Sequence, residues 1–277
     1  MRYDSPPMKL KLIRHLWGVD QPWEVSFPKL RSDGFVGVET SVVPAAQERR
    51  FGALRKEHGL EYVAMAFTNG ANVAEHLRSF REQVERAVDQ GAMQITCQSG
   101  SDAWALSEME QFYREAIQIE RQVKIPVAHE THRGRALFNP WVTRDVLERV
   151  EGLKLCCDFS HWVCVAERLL DDCGPIIELA ASRCIHIHAR VGYEEGPQVP
   201  DPSAPEYQRH VEAHERWWDL VWKSQQARGF AHSTLTPEFG PPGYLHTLPH
   251  TNVPVADLDR VCKYMADRLA ARFARAS

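Results

Sequence analysis

Four short stretches carry residues able to hold a divalent ion or move a proton, and each closes an apolar run of strand length. Residues 153–161 read Leu-Lys-Leu-Cys-Cys-Asp-Phe-Ser-His, so Asp158 and His161 stand together where a strand would end. Residues 125–130 lead into His-Glu-Thr-His, residues 184–188 into His-Ala-Arg, and residues 230–238 into Thr-Pro-Glu-Phe-Gly-Pro. One acid or histidine at a strand end is ordinarily a helix cap or a solvated loop residue. Four in series carry more weight, because parallel strands closed into one barrel would bring Glu130, Asp158, His188 and Glu238 to a single mouth. Three carboxylates and an imidazole form a hard to borderline ligand set, suited to one divalent metal ion: Mn²⁺ or Mg²⁺ first, with Co²⁺ or Zn²⁺ admitted. Without a cation, so many acids in one place repel and force protons onto some of them. His186 shares a face with His188, and either can point inward.

An alternation of strands and helices must position these residues. Strand-like runs occupy residues 10–17, 34–40, 60–68, 92–97, 125–130, the stretch from 153, 184–189 and 230–237. Helical periodicity marks 45–58, 73–90, 106–124, 141–150, 167–182, 207–227 and about 256–274. Residues 73–90 show it best, with Leu77, Phe80, Val84, Ala87 and Val88 at helical spacing, Asn72 to cap them and Gly91 to close. Between the first two strands the sequence predicts a loop with Trp23 and a turn near Pro28. Eight strands alternating with helices or loops predict an α/β fold, a (β/α)8 TIM barrel forming a single domain over residues 1–277. In such barrels chemistry sits at the carboxyl ends of the strands. His15, Trp17 and Glu39 end early strands and are placed on the pocket wall. Residues 191–206, with four prolines and two glycines, form the longest irregular segment, a stiff lid or a surface insertion.

Composition narrows the function classes. With 44% apolar and 25% charged residues in 277, the chain has an ordinary soluble profile. A formal charge of -4 gives no reason to expect nucleic acid or an anionic membrane as partner. The seven cysteines are odd in number, and several lie in strand-like runs. They suggest a reducing cytoplasm, with Cys156 and Cys157 as packing residues on opposite sides of one strand. Residues 1–8 lack an apolar signal core, and no run of about 18 apolar residues occurs. The expectation is a cytoplasmic enzyme. His129, Glu130 and His132 spell His-Glu-x-His on a strand, which is not the helical His-Glu-x-x-His of zinc peptidases. Trp217, Trp218 and Trp222 form a stripe on one helix, read as core or as the interface of a homo-oligomer such as a dimer.

Taken together, Glu130, the Asp158-x-x-His161 pair, His188 and Glu238 resemble the xylose isomerase-like TIM barrels, a superfamily of sugar isomerases, ketose 3-epimerases, inosose dehydratases and endonuclease IV. The resemblance spans nearly the whole chain in architecture, with its specific motifs from residue 125 onward. It implies that Glu130, Asp158, His188 and Glu238 bind the metal and that His161 faces the substrate. Arg190 is placed on the substrate side as well, although the arginine of the epimerases lies several residues further on. By the same resemblance Glu130 and Glu238 are the catalytic acid and base, passing a proton through an enediolate of a small polyhydroxylated carbonyl compound. The implied activity is isomerase or epimerase on a sugar, keto-sugar or cyclitol. A lyase or dehydratase acting on a related compound is the alternative, and a non-catalytic barrel a more distant one. No phosphate-cradling Gly-rich loop with a following Lys-Ser/Thr is present, which favours an unphosphorylated substrate. An endonuclease IV-like hydrolase would need more histidines than strands ending Phe-Thr-Asn-Gly and Cys-Gln-Ser-Gly supply.

Overall fold

The computed structural model describes residues 7–276, so most of the stretch expected to lack a signal core, residues 1–6, lies outside the described residues. Eight parallel strands close into a barrel in chain order: β1 (Lys9–His15), β2 (Gly37–Ser41), β3 (Glu61–Phe67), β4 (Gln94–Gln98), β5 (Val127–Glu130), β6 (Leu155–Cys157), β7 (Cys184–His188) and β8 (His232–Thr236). The seam is shut by β1 against β8, with Lys9 opposite His232 and Leu12 opposite Leu235. The helices are α1 (Trp23–Ser32), α2 (Ala45–Glu57), α3 (Val73–Asp89), α4 (Leu106–Val123), α5 (Pro140–Arg149), α6 (Phe159–Ala166), α7 (Gly174–Arg183), α8 (Gln208–Ala227) and α9 (Leu258–Ala276).

Successive strand residues point to opposite faces, and this period of two divides the core in two. Val38, Ile95, Val127, Leu155, Ile187 and Leu235 belong to the apolar layer between strands and helices. Their neighbours Glu39, Thr96, His186, His188 and Thr236 are buried on the other side, inside the barrel. An interior this polar is held by cross-strand hydrogen bonds, and those bonds set the site. Asn72 caps α3 by accepting from the Glu75 amide at 3.0 Å.

Strand ends differ from the sequence expectation by a few residues, and two segments differ in kind. Residues 23–32 form α1, where a loop and turn were expected. Ser26, Phe27 and Leu30 give that helix a buried face, while Pro28 sits on its exposed side and removes only one intrahelical donor. The helix expected over 167–182 is confined to α7, and an additional helix, α6, precedes it. Helix α6 starts directly on Asp158 and stops at Glu167, whose φ of 52° is left-handed, and α7 begins at Gly174 with a proline in its first turn. Trp217, Trp218 and Trp222 are buried within the chain, with Trp222 edge-on to Phe273 at 5.1 Å. The stripe is core. All seven cysteines are free, and among the described residues no helix is long and apolar enough to cross a membrane.

Candidate metal centre and pocket

One ligand atom from each of Glu130, Asp158, His188 and Glu238 lies within 4.8 Å of the others, and all four residues are buried. They come from the carboxyl ends of β5, β6, β7 and β8. His188 turns Nδ1 towards the acids, 2.8 Å from Glu238 Oε2 and 3.4 Å from Glu130 Oε1. Its Nε2 faces Glu39 Oε1 at 3.0 Å. Although burial pulls it down, the surrounding groups, Glu238 and Glu39 among them, raise this imidazole well above its usual value, so the metal-free ring carries both protons and Nδ1 must give one up to bind an ion. A carboxylate behind a ligating imidazole fixes the ring and raises its basicity.

Glu39 is therefore not on the pocket wall, where the sequence placed it, but behind His188. It accepts from Thr236 Oγ1 at 2.5 Å and lies 3.4 Å from His186 Nε2. Burial would raise its carboxyl, but the facing His188 and His186 outweigh that and hold it well below the usual carboxylate range. His186 spends its ring on β8, with Nδ1 2.8 Å from Thr234 Oγ1 and Nε2 3.1 Å from Thr236 Oγ1. Between the two histidines, only His188 directs a nitrogen at Glu130 and Glu238.

Asp158 is locked in place from two sides. The Thr131 hydroxyl oxygen accepts from its amide and donates to its carbonyl, both at 2.8 Å. As N-cap of α6, its Oδ1 accepts from the Ser160 amide at 3.0 Å and hydroxyl at 2.5 Å. Only Oδ2 is left to face the site. Burial pushes this carboxyl up to about 7, with Glu238 and Glu130 adding to the effect against the pull of Arg190. Glu238 goes the other way. Despite its burial, Arg190, with Nη2 2.5 Å from Oε2, and then His188 keep it well below the usual range.

Neither oxygen of the fully buried Glu130 has a hydrogen bond, and Asp158 Oδ2 lacks one too, while Glu238 Oε2 meets Arg190 and His188 Nδ1 as ion-pair contacts. Buried carboxylate oxygens without donors are costly. A divalent cation among them supplies the missing partner, so the residues present fit a metal ion of the oxygen-preferring kind.

Above this cluster opens a cavity of about 460 Å³, lined by His15, Trp17, His132, Arg190, Glu238 and Tyr244 among others. Trp17 packs edge-on to Tyr244 at 5.1 Å and sits on Gly240, where a Cβ would fall inside the indole. His15 accepts the Trp17 amide on Nδ1 at 2.7 Å, which leaves Nε2 as the protonated nitrogen, 3.8 Å from Glu238 Oε1. His161, in the first turn of α6, has Nε2 3.6 Å from Asp158 Oδ2 and its ring 3.8 Å from that of His132. Burial, then His132 and Arg190, keep it neutral, and neither of its nitrogens has a hydrogen bond. Arg190 is buried, with Nε 3.5 Å from Asp158 Oδ2 and its guanidinium 4.8 Å over the Tyr244 ring. It neutralises two acids as well as lining the cavity.

Sequence reasoning missed Thr131, Ser160 and Tyr244. The first two follow or adjoin motif residues and were open to notice; Tyr244 comes from an irregular loop and gave no signal. Part of the segment 191–206 is packed against the loop after β8. The Gln198 side chain both accepts from and donates to the Gly240 backbone, at 2.7 and 3.2 Å, and the Val199 amide bonds Val191 at 2.8 Å.

The closed barrel topology is matched by comparison with known proteins. A family profile described as xylose isomerase-like TIM barrel aligns with residues 27–224. The chain belongs to this family. Among proteins with curated descriptions none is similar to it. Among solved structures, a xylose isomerase-like TIM barrel protein from Mycobacterium smegmatis, in complex with magnesium, aligns at a TM-score of 0.64 and 12% identity, over 97% of each chain. The 3-keto-D-glucoside 4-epimerase from E. coli aligns at 0.62 and 12%, over 95% of this chain and 100% of that one. The probable 3-DHS dehydratase from Bacillus anthracis aligns at 0.59 and 14%, over 94% and 98%. At these identities the likeness is one of fold. The family itself contains mostly metal-dependent enzymes acting on small sugar-like substrates.

Proposed function

We propose that this chain is a divalent-metal-dependent isomerase or epimerase of a small sugar, keto-sugar or cyclitol. The observation that carries the reading is the convergence, within 4.8 Å, of one ligand atom from each of the buried Glu130, Asp158, His188 and Glu238, with both Glu130 oxygens and Asp158 Oδ2 lacking hydrogen bonds. Those four residues would hold the ion. When bound, it would supply a positive charge beside a substrate carbonyl and neighbouring hydroxyl, easing ionisation of the C–H bond between them.

The protein's own groups do the rest. Glu238, kept ionised by Arg190 and His188, is suited to accept a proton. Glu130 reaches the same cluster from β5 and is suited to return one, so the two carboxylates divide the roles of base and acid. His161, neutral and unpartnered, can donate to or accept from a substrate hydroxyl. His15 Nε2, which meets Met65 Sδ at 2.7 Å and lies 3.8 Å from Glu238 Oε1, is that ring's donor beside the cluster, and Trp17 gives a flat apolar wall for the C–H face of a ring. Mn²⁺ or Mg²⁺ is the expected ion, and the cytoplasm the expected compartment.

The test has two parts. Elemental analysis of protein grown with metal should find about one ion per chain, as one four-ligand site requires. His188→Ala and Glu238→Gln should lose it. Incubation with keto-sugars and cyclitols in D₂O should then give deuterium at the carbon next to the carbonyl without loss of water. A product with a new double bond would establish the dehydratase alternative instead, and a metal-free wild type would end both readings.

A further inference from the structure

His214 lies inside α8, far along the chain from the four ligand residues, and takes no part in the chemistry above. It is fully buried, and burial pushes its imidazole down to about 3, so it is neutral. Its Nδ1 bonds the His210 carbonyl at 2.8 Å and must carry the proton. Its Nε2 is thereby an acceptor, and it accepts the backbone amide of Gly192 at 3.2 Å. Trp217 and Trp218 brace the ring, with centroids at 4.7 and 5.7 Å.

Gly192 is two residues beyond Arg190 and is pressed onto α6. A Cβ there would lie 2.5 Å from the Ser160 carbonyl oxygen and 2.8 Å from its Cα. Ser160 in turn supplies the amide and hydroxyl that fix Asp158 Oδ1. Trp217 also meets Phe159, the first residue of α6, at 5.8 Å. The contacts form one line: the α8 imidazole holds the Gly192 amide, the glycine lies flush on Ser160, and Ser160 orients Asp158 so that its other oxygen faces the cluster.

We infer that His214 is a positioning residue for the metal centre, acting through Gly192 and Ser160 on Asp158. The inference rests on the metal reading of the site. It also gives Trp217 a purpose, since the indole backs both His214 and the start of α6.

The test is Mn²⁺ binding to the full chain, read from the free-ion EPR signal, with circular dichroism to report folding. His214→Phe keeps a flat ring but removes the acceptor. It is expected to weaken Mn²⁺ binding by about tenfold or more, the scale of losing a group that orients a ligand. His214→Gln places an acceptor near the same point and should restore most of the affinity. Gly192→Ala, which drives a methyl into Ser160, should weaken binding with His214 intact, and it carries the test if His214→Phe does not fold. Trp222→Phe, on the same helix but away from the line of contacts, should bind as wild type does. Unchanged affinity in folded His214→Phe would overturn the inference. So would equal losses in the Phe, Gln and Trp222 variants, because that pattern marks general loosening of α8. A wild type that binds no Mn²⁺ would bring down the metal reading itself, and this inference with it.

Discussion

Burial inside a barrel would normally protonate a carboxyl, and Glu39 stays ionised only because two imidazoles face it. Its role follows from that balance: it holds the Nε2 proton of His188, so that Nδ1 is the nitrogen that turns to the acids and would take the metal. Glu39→Gln keeps the shape and loses the charge, so metal affinity should fall by about 10- to 100-fold with little change in fold; titration against a competing chelator measures it. Asp158 sets a pH dependence. In the metal-free protein its carboxyl is pushed up to about 7, so below that pH an entering ion must displace a proton. His188, itself raised well above its usual value, must also lose a proton, so affinity should climb with pH throughout and most steeply below about pH 7, where both ligands are protonated. Calorimetry in buffers of different ionisation enthalpy should show more protons released at pH 6, where Asp158 and His188 both give one up, than at pH 8. The sequence made the ligand types and their strand-end positions legible, because each follows its own apolar run. Glu39 was visible as a strand-end acid, but its place behind His188, 149 residues away, depends on register across the barrel and not on local pattern.

At the scale of elements, the start of α6 joins folding and chemistry in one residue. Asp158 caps that helix with Oδ1 and faces the cluster with Oδ2, so the two functions can be separated by substitution. Asparagine caps about as well as aspartate. Asp158→Asn should therefore hold the melting temperature of the metal-free protein near wild type while metal content drops, a contrast that thermal melts beside elemental analysis would show. The same element explains where sequence reading stopped. A helix of eight residues that begins on the last residue before it leaves no loop to mark its start. A non-glycine in left-handed conformation at Glu167 then ends it without the usual glycine signal. Helix α1 was hidden by Pro28, whose outward position only the packing of Phe27 and Leu30 decides.

For the molecule as a whole, the alternation of strand and helix was enough to predict a closed barrel, since eight such units have few other ways to bury both faces of a sheet. The pocket above it was not legible, because its walls come from loops after β1, β5 and β8 that meet only once the barrel is shut. Metal binding should be felt by the entire fold. An ion at 100 times its dissociation constant adds about 2.7 kcal/mol, which for a chain of this size is a rise of about 5–10 °C in melting temperature. Chelator treatment followed by Mn²⁺ addition, with scanning calorimetry, checks it. The seam between β1 and β8 has a consequence during synthesis. The strand made first waits for the strand made last, and until residues 232–236 leave the ribosome the growing sheet has two open edges. Open edges recruit other strands. A transcript cut short before β8 would thus yield a sticky fragment, with β1 paired to β2 on one side and open on the other.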